Sequence, residues 1–242
     1  MTRLIDAKHI THVFHSANQK IKALDDVSIH LDDREILGII GESGSGKSTL
    51  LRILSGILIP KQAEIQLFNQ PLNPKDNTRF SRMQMIFQDA RSSFDELYTI
   101  EESLNEVRQH LNPDAIENRF LLQEVGLDMT FAKKYPSQMS GGECQRAAIA
   151  RVLACHPDIL LCDEITSALD VITQKKICEL LLHLCQQHHI STVFVSHDIA
   201  LVSQLCSRIM IMQKGKVVEE GDTTSVLSNP QHAYTKELLQ YI

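Results

Sequence analysis

The run Gly41-Glu42-Ser43-Gly44-Ser45-Gly46-Lys47-Ser48-Thr49 constrains this chain more than any other stretch. It fills every specified position of the pattern G-x-x-x-x-G-K-[ST]. Ile36, Leu37, Ile39 and Ile40 precede it as a short apolar run that predicts a buried strand. Leu50, Leu51, Ile53 and Leu54 follow at helical spacing. Strand, glycine loop and helix in that order make an anion cradle. Gly41, Gly44 and Gly46 are expected to take positive φ and let backbone N–H groups approach phosphates. The helix starting near Lys47 aims its positive dipole end at the same anion. Lys47 would place its charge on the outer phosphates, and the Ser48 hydroxyl suits a Mg²⁺ shell completed by water. A mere turn capping a helix has no need of Lys-Ser in this register. The chain is expected to bind a nucleoside triphosphate.

Composition limits what it does with that ligand. At 242 residues and 43% hydrophobic content, the chain supports one large domain, or one with an inserted lobe. A net charge of −6, no tryptophan and few aromatics argue against a nucleic-acid partner. Cys144, Cys155, Cys162, Cys178, Cys185 and Cys206 form no C-x-x-C pair and lie mostly in apolar runs, so reduced core thiols in a cytosolic protein are expected. The charged start, Met1 to Asp6, does not read as a signal peptide. No apolar run approaches the roughly 18 residues of a membrane helix, so any membrane role is expected to go through a partner.

From Leu4 to Ser28 the pattern alternates as β structure, with Ile10, His12 and Phe14, then Ile21, Ala23, Val27 and Ile29. Phe14, beside the turn-prone Ser16-Ala17-Asn18, is open to two readings: a core ring, or a ring stacked on adenine. His9, His12 and His15 match no closed metal site and read as solvated or half-buried imidazoles. Ser55-Gly56 predicts a helix end, and Ala63 to Phe68 a strand. A polar loop at Asn73 to Asn77 leads to a buried strand at Met83 to Phe87, which ends at Gln88-Asp89. The Gln88 carboxamide suits a Mg²⁺ shell or an attacking water. Taken alone, it is a polar strand end.

Helical patterns replace β patterns from Asp89 to Pro157, which reads as an inserted lobe. One helix is predicted over Thr99 to Leu111. A second, capped by Asn112-Pro113, would be carried by Ile116, Phe120, Leu121 and Val125 and ended by Gly126. Ser140 is a helix N-cap followed by Gly141-Gly142, each costing about 1 kcal/mol against alanine. Such a pair suits a ligand touching the backbone at a helix N-terminus, or a merely flexible helix start. Ile159 to Cys162 then feed Asp163-Glu164 at a strand's C-terminal end, where open α/β sheets bind ligands. The first carboxylate suits Mg²⁺ through water and the second suits polarising an attacking water. Ser167 to Asp170 reads as a turn, and Val171 to Gln187 as a helix with Ile177, Leu180, Leu181 and Leu184 inward. A short strand, Thr192 to Val195, delivers His197. A hairpin turning at Lys214-Gly215 and a helix from Tyr234 to Leu239 close the chain.

Together these motifs resemble the nucleotide-binding subunits of ABC transporters over almost the whole chain. Gly41 to Thr49 resembles their Walker A loop and Gln88 the Q-loop residue. Ser140-Gly141-Gly142-Glu143 resembles the signature motif, and Ile159 to Glu164 Walker B. Ser167 to Asp170 resembles the D-loop, His197 the switch histidine and Phe14 the aromatic A-loop position. The signature discriminates, because many P-loop enzymes have Walker A and B alone. Glu219 to Asp222, Asn229 to Leu239 and Met83 to Asp89 resemble the peptide/nickel import branch. Met139, Glu143 and Ile165 depart from the usual leucine, glutamine and proline, and Phe14 from a commoner tyrosine.

The resemblance implies an α/β P-loop NTPase with a RecA-like core, an N-terminal antiparallel β-subdomain and an inserted helical subdomain. Residues 1–88 and 158–221 would form the catalytic core, 89–157 the helical signature subdomain and 222–242 a tail. It implies ATP and Mg²⁺ as ligands. Phe14, Gly41, Glu42, Ser43, Gly44, Ser45, Gly46, Lys47, Ser48 and Thr49 would hold the nucleotide, with Ser140, Gly141, Gly142 and Asp170 acting across a dimer. Ser48, Gln88 and Asp163 would serve the metal, and Glu164, His197 and Gln88 hydrolysis. Implied partners are a second ATPase subunit, identical or homologous, two membrane permeases and, indirectly, an extracytoplasmic binding protein. The expected location is peripheral, on the cytoplasmic face of the inner membrane. Arg91 to Leu104, with Phe94, Leu97 and Tyr98 expected at the surface, is the candidate permease contact. The alternative is a soluble ABC-type ATPase of DNA repair or translation. It would need a basic surface, a coiled-coil insert or tandem domains, none of which the sequence has. A P-loop kinase is disfavoured by Ser140-Gly141-Gly142.

Overall fold

The computed structural model describes residues 2–16, 19–73, 78–111 and 117–240. Residues 17–18 of the turn-prone stretch, 74–77 of the expected polar loop and the expected Asn112-Pro113 cap with Ile116 lie outside them. The chain divides into two compact units, Met1–Asp76 with Ser191–Ile242, and Asn77–Ile190.

The first unit opens with two long antiparallel strands, β1 (Arg3–Ser16) and β2 (Gln19–Asp32). Their alternation is not the simple one the sequence suggests. Ile5, Ala7, Ile10, Leu24, Val27, Ile29 and Leu31 are buried, whereas Phe14 and Ile21 are exposed. The reason is a set of bulges. His9 (φ 54) and Asp26 (φ 58) are left-handed, and the register shifts between Ala7 and Ile10. An extra residue switches which parity faces the core. Side chains satisfy the irregular backbone: His9 N donates to Ser28 Oγ (3.2 Å) and Asp26 N to Thr11 Oγ1 (3.1 Å). The His9 Nδ1 lies 2.8 Å from Asp26 Oδ1. Next come β3 (Ile36–Ile40), helix α1 (Lys47–Leu54), β4 (Gln62–Leu67) and β5 (Gln70–Pro71). Leu50, Leu51, Ile53 and Leu54 of α1 are fully buried, as their spacing predicts. The β4 strand stops one residue before Phe68, because Phe68 (φ 52) and Asn69 (φ 61) make a left-handed hairpin turn into β5. The antiparallel sheet runs β2-β1-β4-β5.

The second unit holds α2 (Arg79–Arg82), β6 (Met83–Ile86), α3 (Ile100–His110), α4 (Asn118–Glu124), α5 (Gly141–Leu153), β7 (Ile159–Asp163) and α6 (Val171–His188). Strands β6 and β7 pair in parallel, from Met83 with Ile159 to Ile86 with Cys162. Helix α3 starts in a capping box: Thr99 accepts from Glu102 N, and Glu102 accepts from Thr99 N. On α4, Leu121 and Leu122 turn inward together with Val125, and Phe120 lies off that stripe, so it is 53% exposed rather than core. Helix α6 buries Ile177, Cys178, Leu181, Leu184 and Cys185, while Leu180 is only half-buried. Two cysteines complete the stripe that leucine was expected to fill.

The chain then returns to the first unit with β8 (Ser191–Ser196), α7 (Ile199–Leu205), β9 (Arg208–Gln213), β10 (Lys216–Asp222), α8 (Thr223–Ser228) and α9 (Ala233–Leu239). Strand β3 pairs in parallel with both β8 and β9, and β10 folds back on β9 through Lys214 (φ 47) and Gly215 (φ 79). Burial on both faces explains why β3, β8 and β9 read as unbroken apolar runs. Helix α8 has no apolar periodicity to announce it. Asp222 caps it by accepting from Ser225 N.

Candidate functional site

In the first unit, the loop after β3 has the geometry of an anion cradle. Gly44 (φ 80) and Gly46 (φ 107) are left-handed. Gly41 is not, which corrects the expectation for that residue. A Cβ at Gly41 would stand 2.2 Å from the Met212 carbonyl oxygen, so glycine is required by the close approach of β9. A Cβ at Gly44 would meet nothing within 4 Å, which leaves its backbone open to a ligand. Lys47 is buried and donates from Nζ to the carbonyls of Gly41 (2.7 Å) and Glu42 (2.9 Å). The α1 N-cap is Gly46, with no side-chain cap. First-turn N–H groups have no intrahelical partner, so an anion there would complete the helix. Ser45 Oγ is buried without a hydrogen-bond partner. These features fit a polyphosphate. Glu42, Ser43 and Gly44 line the exposed rim of the loop, while Ser48 and Thr49 in the first turn of α1 are half-buried. Phe14 is 42% exposed near the end of β1, its ring edge-on to His12 at 4.7 Å between centroids. It belongs to no core, and a half-exposed ring is available for stacking. His197 is exposed directly after β8, at the C-terminal end of that strand.

The second unit brings another set together. Asp163, the last residue of β7, is buried. Glu164 follows at φ 47 and is half-buried. Ile165, which follows, is buried. Gln88 Nε2 donates to Ser167 Oγ (3.1 Å), and Ser167 Oγ donates to the Glu164 carbonyl (3.1 Å). One serine therefore links the glutamine after β6 to the main chain of Glu164, a connection sequence reasoning missed. Asp170 caps α6 by accepting from Thr173 N (3.0 Å), and the Thr173 hydroxyl and N–H hold its carboxyl below the usual range.

Ser140 caps α5 in a reciprocal box with Glu143: Ser140 N donates to Glu143 Oε2 (2.8 Å), and Glu143 N donates to Ser140 Oγ (3.3 Å). The Ser140 N–H and hydroxyl hold the Glu143 carboxyl below its ordinary value. Glutamate at this position thus acts as a cap. A Cβ on Gly142 would lie 2.7 Å from Thr173 Cγ2, and one on Gly141 3.2 Å from Leu169 Cδ2. Packing against the start of α6 is therefore one reason for this glycine pair, beside the ligand contact suggested by the sequence. In the segment from Arg91, Leu97 (81%) and Tyr98 (43%) are exposed, but Phe94 is buried, with the Arg151 guanidinium 6.0 Å above its ring. That corrects the expectation for Phe94.

The family model of the ABC transporter domain matches residues 24–167, more than half of the chain. This chain belongs to the ABC transporter family. The chain is 36% identical over 248 residues to Methionine import ATP-binding protein MetN 1 of Shouchella clausii, covering 99% of this chain and 70% of that protein. It is 38% identical over 234 residues to the Metal-staphylopine import system ATP-binding protein CntF of Staphylococcus aureus, covering 95% and 92%. A dimeric ATP-binding cassette solved in a post-hydrolysis state with ADP and Pi superposes with a TM-score of 0.80 at 31% identity, over 91% of this chain and 99% of that one. The α/β P-loop fold of an ABC cassette is thus established, and this ABC ATPase binds ATP. No helix among the described residues is long and apolar enough to cross a membrane.

One contact in the cradle had no sequence signal. The Glu42 N–H donates to the hydroxyl of buried Tyr234 on α9 (3.1 Å). The tail motif drew attention to Tyr234 only as a family mark, since a contact 192 residues away has no local pattern.

Proposed function

We propose that this ABC ATPase energises import of peptides, or of nickel or other metal complexes, across the cytoplasmic membrane. The observation that carries it is the fully formed phosphate cradle, on a chain whose relatives are named as import ATP-binding proteins. The tail after β10 carries the residues that resemble the peptide/nickel branch. In this reading the subunit sits peripherally on the cytoplasmic face, against two permeases fed by an extracytoplasmic binding protein. Leu97 and Tyr98 supply exposed apolar surface for a permease.

ATP lies between two such subunits. Gly44, Gly46 and the α1 N-terminus take the phosphates, and Phe14 the base. Lys47 shifts its protons from loop carbonyls toward phosphate oxygen. Ser48, Asp163 and Gln88 would hold Mg²⁺, which supplies charge neutralisation at the transferring phosphoryl group. Glu164 accepts the proton of the attacking water, and His197 holds the γ-phosphate. The partner's copy of Ser140, Gly141 and Gly142 presents a helix N-terminus to that phosphate, and its Asp170 borders the same dimer face.

Glu164→Gln tests the assignment. It keeps shape and hydrogen bonding but removes the base, so hydrolysis should fall about 10²–10⁴-fold. Binding of ATP should persist, and an ATP-bound dimer should accumulate on size-exclusion chromatography. Hydrolysis at the parental rate would overturn the role. Recovery of permeases with the tagged subunit from membranes tests the transport reading, and their absence would remove it.

A further inference from the structure

We propose that Tyr234 is a positioning residue of the phosphate loop, linking the docking of the C-terminal helix α9 to nucleotide binding. The inference rests on the ATP-binding reading above. Its basis is a single peptide unit. The Gly41 carbonyl accepts from Lys47 Nζ (2.7 Å), and the Glu42 N–H of the same peptide donates to the Tyr234 hydroxyl (3.1 Å). A trans peptide is planar and points these two groups in opposite directions. Lysine and tyrosine therefore hold opposite ends of one rigid plate, and turning the plate breaks both bonds together. The next carbonyl, of Glu42, is held by Lys47 Nζ (2.9 Å) and Ser45 N (3.1 Å). The orientation of the plate sets where Lys47 rests, and Tyr234 is the member of this set that comes from outside the loop and α1.

The tail is built to deliver that hydroxyl. Glu219 of β10 accepts from Gln231 N (2.7 Å) and His232 N (3.0 Å), fixing the chain just before α9. His232 Nδ1 caps α9 by accepting from Tyr234 N (3.2 Å). Tyr234 is 4% exposed and Thr235 fully buried. A ring held this firmly cannot follow the loop, so the loop must conform to the ring.

Tyr234→Phe removes one oxygen and keeps the packing. In the full chain, the Kd for ADP measured by titration calorimetry should rise about 3- to 10-fold, since an N–H loses its partner and the plate its stop. KM for ATP should rise by more than kcat falls. Amide exchange at Glu42 should accelerate. In the unaltered protein, saturating ADP should slow amide exchange across residues 233–239 several-fold, because binding and tail docking are linked. An unchanged Kd for ADP in the Phe variant, whatever its thermal midpoint, overturns the role, since a purely structural tyrosine would alter stability and leave affinity alone. Unchanged tail exchange on ADP addition overturns the linkage. If the unaltered protein fails to bind ADP, the ATPase reading itself falls, and this inference with it.

Discussion

Glu164 sits at φ 47, directly after the buried strand β7. A left-handed backbone costs an ordinary L residue about 1–2 kcal/mol. It persists here because Asp163 and Ile165 on either side are both buried and fix the chain direction. Such strain gathers where a side chain must be aimed. Gly46 has the same left-handed sense but no tolerance for a side chain: at φ 107, a Cβ would lie 2.5 Å from the Ala23 carbonyl oxygen. Gly46→Ala should therefore cost roughly 2 kcal/mol or more, read as a lower urea midpoint, and should abolish ATP binding. Stability within about 0.5 kcal/mol of the parent would contradict the geometry. At this scale the sequence was legible wherever chemistry alone selects a residue. Lys47, Ser48, Asp163 and Glu164 were singled out by type and spacing, and the fold sets Lys47 against the loop carbonyls and the two carboxylates at the end of β7. Gly41 was found but misread, because its reason is the backbone of β9, which no local pattern reveals.

Elements show how those residues are held. Glu35, just before β3, pairs with Arg208 at the start of β9 (2.7 Å), and Arg208 also reaches the His30 carbonyl on β2 (2.6 Å) and Glu220 on β10. This clasp joins four strands at the start of β3, the end opposite the phosphate loop. Burial pushes the Glu35 carboxyl up, but the Arg208 guanidinium and the Asp32 N–H together hold it below its ordinary value of 4.5. A depressed folded-state pKa contributes stability that is fully present above the ordinary value and lost as pH falls through the folded one. Unfolding free energy should therefore decline below about pH 4.5, and Glu35→Gln should flatten that acid slope. Arg208→Met should cost about 2–3 kcal/mol at neutral pH, since Glu35 would remain partly buried without its partner. A pH-independent difference between parent and Glu35→Gln, from pH 3 to 7 in chemical unfolding, would refute the clasp. Helices α1, α3, α5 and α6 were legible from their caps and stripes. The β1–β2 ladder was legible as β structure but not in its facing, because bulges at His9 and Asp26 shift parity without changing composition.

For the molecule as a whole, all six cysteines are buried and none forms a disulfide. Burial pushes the Cys144 and Cys155 thiols up to about 11, even with Arg91 and Arg151 nearby. Thiolate is the reactive form, so Ellman's reagent should label almost no thiol in the native state and all six after denaturation. Rapid native labelling at Cys144 or Cys155 would contradict the packing.

The order of motifs along the chain was enough to state the family and the nucleotide, and to nominate the residues proposed to serve it. Those follow from side-chain chemistry at short spacing, where the chain's own geometry sets what lies near what. Only the folded chain decided which parity of β1 faces inward, that Phe94 is buried and Phe120 exposed, that Gln88 reaches the main chain of Glu164 through Ser167, and that Tyr234 holds Glu42. Each of these depends on residues distant in sequence meeting in space, and hydrophobic periodicity carries no record of which strand or helix the partner will be.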